Sequence, residues 1–139
     1  MNTFLPYDSF EKSARALDRQ RLGKQRVEVL QILRSLEGES KGWRNHPAVR
    51  MWGAYRGSLV RYGCAVCLEW TGRGYKDTCY GKILEFGEKY DYSVTPHWLG
   101  EEAFHASHRS NLLRKDPAWY GQFGWAEPPD LEYVWPVSA

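Results

Sequence analysis

The sequence predicts an all-α protein: a single domain of three principal helices with long connections and an aromatic strap at its C-terminal end. Two stretches lead to this prediction. Residues 17–33 read "LDRQRLGKQRVEVLQIL", with no proline, one glycine and many strong helix formers. From residue 48 onward, apolar and aromatic side chains recur at helical spacing. A chain of 139 residues suits one domain that buries roughly two thirds of its unfolded surface, so residues 1–139 are expected to form one unit.

The first half of the chain is expected to hold two long helices. Residues 1–7 contain a proline and are too irregular for a helix. The first helix should begin with Asp8 or Ser9 as its cap and run, with or without a break, to about Leu36. Pro47 suits the first turn of a second helix, which ends at "TGRGY". The stripe of this second helix, expected in the core, consists of Trp52, Tyr55, Leu59, Tyr62, Val66 and Trp70.

The second half is expected to hold one long helix. A short helix around residues 83–88 interrupts otherwise extended chain, and the third principal helix starts near Glu101 and stops or breaks at Pro117. Residues 117–136 are rich in aromatic side chains and proline without any period, which predicts a strap laid over the helices.

The charge pattern favours a basic face. The formal net charge is only +2, but the cations cluster at residues 15–26, 44–61 and 109–115. Such clusters are typical of phosphate binding, although ordinary solvated faces would give the same pattern. The start of the chain lacks the pattern of a signal peptide, and no stretch is apolar enough for a membrane span, so we expect a cytoplasmic protein.

Four polar residues share one face of the first helix, because Asp18, Arg21, Gln25 and Glu28 recur at steps of three and four. If they face inward, they must satisfy each other or line a wet cleft. One interpretation is a structural network in which Asp18 pairs with Arg21 and Gln25 with Glu28. The other is a cleft in which Glu28 is catalytic and nearby polar side chains bind nucleic acid: Arg21, Lys24, Gln25 and Arg26.

Two further segments are candidate nucleic-acid contacts. In "GWRNHPAVRMW", Arg44, Asn45 and His46 precede a helix start and Arg50 follows, an arrangement that could clamp phosphate; capping by Asn45 is the alternative. The third helix groups His105, His108, Arg109, Asn111, Arg114 and Lys115 along a polar surface that could bind phosphates or sugars.

Metal binding is not expected. The two histidines of the third helix lack a third ligand, and Cys64 and Cys67 lie in an apolar helix without a second metal-binding pair. In the strap, Trp119 and Tyr120 are assigned to a functional surface that stacks on bases, whereas the other aromatic residues are expected to pack.

The segments "LGKQRVEVLQIL", "GWRNHPAVRMW" and "RKDPAWYGQFGW" resemble the pyrimidine-dimer DNA glycosylases, and the similarity spans most of the chain. The longer string "FHASHRSNLLRKDPAWY" resembles a bacterial and phage branch of that superfamily. The resemblance implies an all-α fold with the N-terminus threaded between helices. It also implies a base-flipping glycosylase with AP lyase activity, whose nucleophile is the chain's own α-amine and whose assisting glutamate maps onto Glu28. Glu28 should then be partly buried, near the amino end of the chain and facing the other basic segments.

The chemistry implied by this resemblance requires no cofactor, because peptide α-amines have a pKa of about 7.7 to 8.0 and are partly nucleophilic at neutral pH. One departure concerns the start of the chain: Asn2 is too large for the usual methionine aminopeptidase, which makes Met1 the nucleophile. Lys24 or a water activated by Glu28 are the alternatives.

The leading functional hypothesis is therefore a monomeric DNA glycosylase that excises a damaged or modified base, most simply a pyrimidine, from double-stranded DNA. Such a cytoplasmic protein would be nucleoid-associated when it acts on DNA. A non-catalytic module that binds distorted or modified nucleic acid is the second hypothesis, and a structural helical protein is the third.

Overall fold

A computed structural model describes residues 1–137, and every regular element in that range is helical. The elements are α1 Phe10–Ala16, α2 Arg19–Leu36, α3 Pro47–Arg50, α4 Arg56–Gly72, α5 Tyr80–Gly87, α6 Glu102–Lys115, α7 Pro117–Tyr120 and a short 3₁₀ turn, Gly121–Phe123. The three longest are α2, α4 and α6, so the prediction of an all-α fold with three principal helices is confirmed.

The predicted first helix is divided in two. Ser9 caps α1, because its side chain accepts a hydrogen bond from the Lys12 N–H. Leu17 leaves the helical conformation, and Asp18 then caps α2 by accepting from the Arg21 N–H at 3.4 Å. Asp18 therefore begins the helix as its N-cap.

The prediction of one continuous second helix is wrong. The chain forms the single turn α3, then a non-helical turn through Gly53, then α4. Glycine is a poor helix former, which is consistent with a break at this position. The stripe still faces inward: Trp52, Leu59, Tyr62 and Val66 are fully buried, and Tyr55 and Trp70 pack against the core at its margin.

Helix α4 packs closely against α2. A Cβ atom added at Gly63 would lie 2.8 Å from Val29 Cγ1, so only glycine permits this approach of the two helices. Around this contact, buried side chains from the N-terminal segment, α2, α4, α5 and α6 form a continuous core. Because α2 contributes side chains to this core, its N-terminal half, which carries the polar face, is held in place.

The N-terminal segment threads through the molecule as an extended chain, as the resemblance implied. Residues 2–6 are buried although they form no helix. The Tyr62 hydroxyl of α4 lies 2.8 Å from the Phe4 carbonyl, and the Trp52 indole donates to the Thr3 hydroxyl at 3.0 Å. On the other side, Leu5 bonds to two histidines of α6. This segment is therefore held between α2, α4 and α6.

The remaining predictions about elements hold with small shifts. The short helix expected around residues 83–88 is α5, Tyr80–Gly87. Helix α6 ends before Pro117, which opens α7. The chain from residue 121 to 137 then runs back over the helices with its aromatic side chains partly buried, as a strap. None of the helices within residues 1–137 has the length and apolar character needed to cross a membrane.

Candidate active site

A cleft opens where the N-terminal segment meets the first turns of α2. Its volume is about 310 Å³, at the small end of the range for ligand pockets. We call it the N-terminal cleft. It is lined by Met1, Asn2, Phe4, Gln20, Arg21, Lys24, Gln25, Glu28, Lys115, Tyr133 and Trp135. The start of the chain, the polar face of α2, the end of α6 and the strap thus meet at one place.

Glu28 lies on the floor of the N-terminal cleft and is 7% exposed. Its Oε2 accepts hydrogen bonds from the Asn2 backbone N–H at 3.2 Å and from the Gln25 side-chain amide at 3.1 Å. Its Oε1 lies 3.8 Å from Lys24 Nζ, which is largely exposed. The carboxylate is therefore fixed one residue from the α-amino group of the chain. The prediction that Glu28 is partly buried near the amino end is confirmed.

Gln25 anchors the first residues of the chain. It is 1% exposed, and its Oε1 accepts from the Phe4 N–H at 2.9 Å. Its Nε2 donates to the Asn2 carbonyl at 2.9 Å as well as to Glu28. One side chain therefore satisfies backbone groups of two residues that belong to no regular element. Both local pairs expected on the polar face are present, since Arg21 also contacts Asp18 at 3.2 Å. The structural network and the cleft, which the sequence offered as alternatives, are therefore both present, and the network forms part of the cleft lining.

Cations converge on the rim of the cleft. Arg21, Lys24 and Lys115 line it, and Arg114 adjoins Lys115 at the end of α6. Burial lowers the pKa of Lys115, and the charges of Arg21, Arg114 and Lys24 lower it further. Arg21, Lys24 and Lys115 therefore form one positive patch at the cleft, with Arg114 next to Lys115 at its edge. A patch like this attracts anions such as the phosphates of DNA.

The opposite wall of the cleft is aromatic, and the sequence prediction missed it. Tyr133 and Trp135 line the cleft, with their rings 5.7 Å apart. The pKa of Tyr133 is raised chiefly by burial, whereas the Asn2 side chain and the charges of Arg114 and Arg21 act to lower it. These two residues lie in the aperiodic strap, where no spacing indicates which aromatic side chains face a site.

His46 lies beside the aromatic wall. Its ring centroid lies 5.7 Å from that of Trp135 and 5.6 Å from that of Trp43, both in edge-on contacts. Trp43 is 56% exposed. Burial lowers the pKa of His46, the positive α-amino group of Met1 lowers it further, and Glu28 opposes the shift. His46 is therefore close enough to both groups to sense their charges. It also caps α3, because its Nδ1 accepts from the Ala48 N–H at 3.0 Å; the alternative of an Asn45 cap is wrong.

Four residues of α6 assigned to nucleic-acid binding are instead buried, and this assignment is corrected. His105 and His108 bond to Leu5, and Arg109 donates to the Pro6 carbonyl and pairs with Glu127 at 2.9 Å. Asn111 donates to two backbone carbonyls, one of them in the strap. Their polar groups hold the N-terminal segment and the strap and do not face solvent. The exposed end of the same helix carries Arg114 and Lys115.

Tyr120 also needs correction as a stacking residue. It is fully buried, and its hydroxyl lies against the Asp18 carboxylate, which together with burial raises the pKa of Tyr120. Trp119 is 37% exposed, and its indole donates to the Ala16 carbonyl at 2.8 Å. Trp119 thus keeps an exposed face but is anchored to α1.

The remaining predicted contacts lie outside the lining of the N-terminal cleft. Arg26 points away from it, forming an ion pair with Asp77 at 2.6 Å and covering the Trp70 ring. Arg44, Asn45 and Arg50 are exposed around α3. Arg26 is therefore corrected to a structural residue, and the other three remain candidates for contact with the DNA backbone.

The cysteines are free thiols. Cys67 is buried and Cys64 half-buried, and burial raises the pKa of both. Between residues 1 and 137, no group of three or more His, Cys, Asp or Glu side chains is arranged to hold a metal ion. The chemical groups assembled in the N-terminal cleft are an α-amino group, a carboxylate and three cationic side chains, and His46 lies beside its aromatic wall.

The fold and the cleft define a small all-α protein that brings its own chain start, a fixed carboxylate and a cationic rim to one site. The family model described as pyrimidine dimer DNA glycosylase matches residues 1–81, more than half of the 139-residue chain. The protein therefore belongs to the pyrimidine dimer DNA glycosylase family, which indicates a role in DNA repair.

The matched region contains the N-terminal segment, α2 with Lys24 and Glu28, and His46. The residues beyond it supply Lys115 and the aromatic wall. No match was found among curated proteins or among solved structures. Membership of the bacterial and phage branch remains a prediction.

Proposed function

We propose that the protein acts as a monomer on double-stranded DNA and excises a damaged or modified pyrimidine that has been flipped into the N-terminal cleft. One observation supports this above all: Glu28 is hydrogen-bonded to the second residue of the chain inside a cleft with a cationic rim. Flipping costs a few kcal/mol, and less where damage has already weakened base stacking. The rim cations would hold the phosphates on both sides of the flipped nucleotide.

In the proposed reaction, the lone pair of the Met1 α-amine forms a bond to C1′ of the nucleotide. The bond from C1′ to the base nitrogen breaks, and its electron pair leaves with the base. Glu28 stabilises the positive charge that develops on the sugar, which is the effect expected of a carboxylate held in a partly desolvated site. The amine then loses a proton, the bond from C1′ to O4′ opens, O4′ takes up a proton and a Schiff base forms. A lyase step can follow from this intermediate.

Lys24 and water are the alternative nucleophiles. Lys24 Nζ lies 3.8 Å from Glu28, but its side chain is 73% exposed. The first residues of the chain are held more closely, because Gln25 of α2 donates a hydrogen bond to the Asn2 carbonyl. Water activated by Glu28 would release the base without any covalent intermediate. The three routes differ in the adduct that they leave, so one experiment separates them.

The test incubates the protein with ultraviolet-irradiated duplex and with duplex that carries an abasic site, with and without borohydride. We expect base release and a reduced covalent adduct, with peptide mapping of the adduct locating the attachment at Met1. Base release is scored as cleavage of the glycosidic bond, because a base within a pyrimidine dimer stays linked to its neighbour after that bond breaks. Attachment at Lys24 would assign the nucleophile to that side chain, and base release without an adduct would indicate the water route. Binding without base release or adduct would overturn the proposed enzyme in favour of a module that binds damaged DNA.

Glu28→Gln is the matched variant for this assay, because it keeps the size and one acceptor oxygen but removes the charge. We expect base release to fall at least ~100-fold, the scale of positioned acid–base groups, with DNA affinity changed only slightly. Glu39→Gln removes an equally charged, exposed side chain just beyond the C-terminal end of α2 and should leave the rate unchanged. Equal rates for Glu28→Gln and the unmodified protein would remove Glu28 from the mechanism.

A further inference from the structure

Asn2 carries a hydrogen-bond donor with no partner. The side chain lines the N-terminal cleft and is only 7% exposed. Its Oδ1 accepts from the Thr3 N–H at 2.8 Å, which leaves Nδ2 on the other side of the amide. Nδ2 is buried and meets no acceptor in hydrogen-bonding geometry; it lies near the Tyr133 hydroxyl, and this polar interaction with the Asn2 side chain helps to lower the pKa of Tyr133. Buried donors are nearly always satisfied, so an unpaired one in a cleft indicates a group that a ligand completes.

This feature is specific to the cleft. Within residues 1–137, the other buried side-chain atom without a partner is Nε of Arg26, whose guanidinium is already paired with Asp77 outside the cleft. The neighbouring amide of Gln25 uses both its oxygen and its nitrogen in hydrogen bonds to the protein. Asn2 therefore offers the one buried amide donor that remains open at this site in the described chain.

The surroundings of Nδ2 indicate what kind of group would accept its hydrogen bond. Phe4, Tyr133 and Trp135 provide flat apolar surfaces around the cleft, and cations occupy its rim. The ligand that fits is a flat ring with phosphates at its edge and an acceptor directed inward. Pyrimidine bases such as thymine carry exocyclic carbonyl oxygens that accept hydrogen bonds, and the small volume suits a single ring system.

We propose that Asn2 determines the base specificity of this site, with Nδ2 donating to an exocyclic carbonyl of a pyrimidine held against the aromatic wall. This proposal rests on the proposed function, since it assigns the base-reading residue of the same cleft. A site built to hydrogen-bond a particular acceptor discriminates strongly, because any base without that acceptor leaves the buried donor unpaired. Asn2 thus contributes its backbone N–H to Glu28 and its side chain to the base.

The test compares Asn2→Asp and Asn2→Leu with the unmodified protein. Both substitutions remove the donor, keep a similar size and remain too large for removal of Met1, which a change to Ala or Ser would allow. Asn2→Asp also keeps the acceptor for the Thr3 N–H. Thermal unfolding checks that each variant folds. Each protein is assayed for base release from irradiated duplex and for borohydride trapping on abasic duplex, which has no base to read.

We expect base release, measured as kcat/KM, to fall ~10- to 100-fold in both variants, as for loss of one hydrogen bond to a buried group. Trapping on abasic duplex should stay within threefold. Equal losses in both assays would overturn the proposal, because Asn2 would then act by positioning the amine. Unchanged base release would overturn it as well. An unmodified protein that traps nothing and releases nothing would refute the proposed function itself, a result distinct from either outcome for the variants.

Discussion

A single buried glutamine fixes the position of the first residues of the chain. Gln25 bonds to the backbone of Asn2 and Phe4 and to the carboxylate of Glu28, and Tyr62 supports it from α4 at 2.7 Å. The Tyr62 hydroxyl has one proton, so it donates either to Gln25 or to the Phe4 carbonyl at any moment. Gln25 therefore positions the two groups that the proposed reaction uses, the Met1 α-amine and the Glu28 carboxylate. It does so without contacting the substrate sugar itself.

Gln25→Leu should lower both stability and activity. The substitution keeps the volume but leaves the Phe4 N–H and the Asn2 carbonyl unpaired, each at a cost of ~1 to 3 kcal/mol. We expect urea unfolding to show a loss of ~2 to 5 kcal/mol. We also expect kcat for base release to fall more than DNA affinity, because the chain start is no longer fixed. Tyr62→Phe, the control, removes one donor and should cost ~1 kcal/mol. A variant as stable as its parent would contradict the anchoring role.

Between elements, α6 holds the N-terminal segment through two buried histidines. His108 Nδ1 accepts from the Leu5 N–H at 2.9 Å, and His105 Nδ1 lies 2.8 Å from the Leu5 carbonyl. Burial, reinforced by the charge of His105, lowers the pKa of His108 to about 3. Accepting from an N–H requires an unprotonated Nδ1, so the contact holds while His108 is neutral.

This contact should make stability depend on pH. The pKa of His108 is about 3 in the folded protein and about 6.5 in the unfolded chain. Between these values the unfolded state binds more protons, so the free energy of unfolding falls as the pH drops below 6.5, by up to ~1.4 kcal/mol per pH unit. His108→Asn cannot titrate, and its side-chain oxygen can still accept from Leu5.

Urea unfolding of both proteins at pH 7.5, 6.5, 5.5 and 4.5 measures this effect. The stability advantage of the unmodified protein over His108→Asn should shrink as the pH falls. Contributions common to both proteins, including His46 with its lowered pKa, cancel in the difference. A difference that stays constant over this range would show that His108 is not protonated on unfolding in the way proposed.

The elements were predictable where local chemistry determines them. The polar face of α2 predicted the position of Glu28 because helical spacing alone puts Asp18, Arg21, Gln25 and Glu28 together. The break at Leu17 and the separate turn α3 depend on capping residues and packing contacts, and a pattern of helical spacing contains no information about these. The catalytic role of Glu28 remains a prediction, although its burial and its partner at the chain start are confirmed.

The aromatic wall and the histidines of α6 could not be predicted for a different reason. Tyr133 lies more than a hundred residues from Glu28, and only the path of the strap brings the two together. His105 and His108 look like surface ligands on a polar helix until the buried N-terminal segment provides them with backbone partners. In both cases the role of the side chain depends on which distant, irregular segment packs against it, and residue type alone does not reveal that.

Across the whole molecule, charge is distributed unevenly. The net charge of +2 is small, yet Arg21, Lys24 and Lys115 all line the N-terminal cleft, and Arg114 adjoins Lys115. A second cleft, between the end of α2 and α5, has no such excess of cations, because its lining combines Glu37, Glu39, Glu85 and Glu88 with Arg34, Lys82 and Lys89. DNA should therefore approach from the side of the N-terminal cleft, where the phosphates meet cations.

Salt dependence of DNA binding tests this orientation. Each phosphate neutralised by a cation adds about 0.9 to the slope of log K against log salt concentration for duplex DNA. If Lys115 neutralises a phosphate as proposed, Lys115→Gln should reduce the slope by ~1 and weaken binding to all duplex sequences alike. Lys82→Gln removes the same charge from α5 beside the second cleft and should leave the slope unchanged. Fluorescence anisotropy between 50 and 200 mM salt gives both slopes. Equal reductions for the two variants would mean that DNA responds only to net charge, and the cleft would lose its place as the binding face.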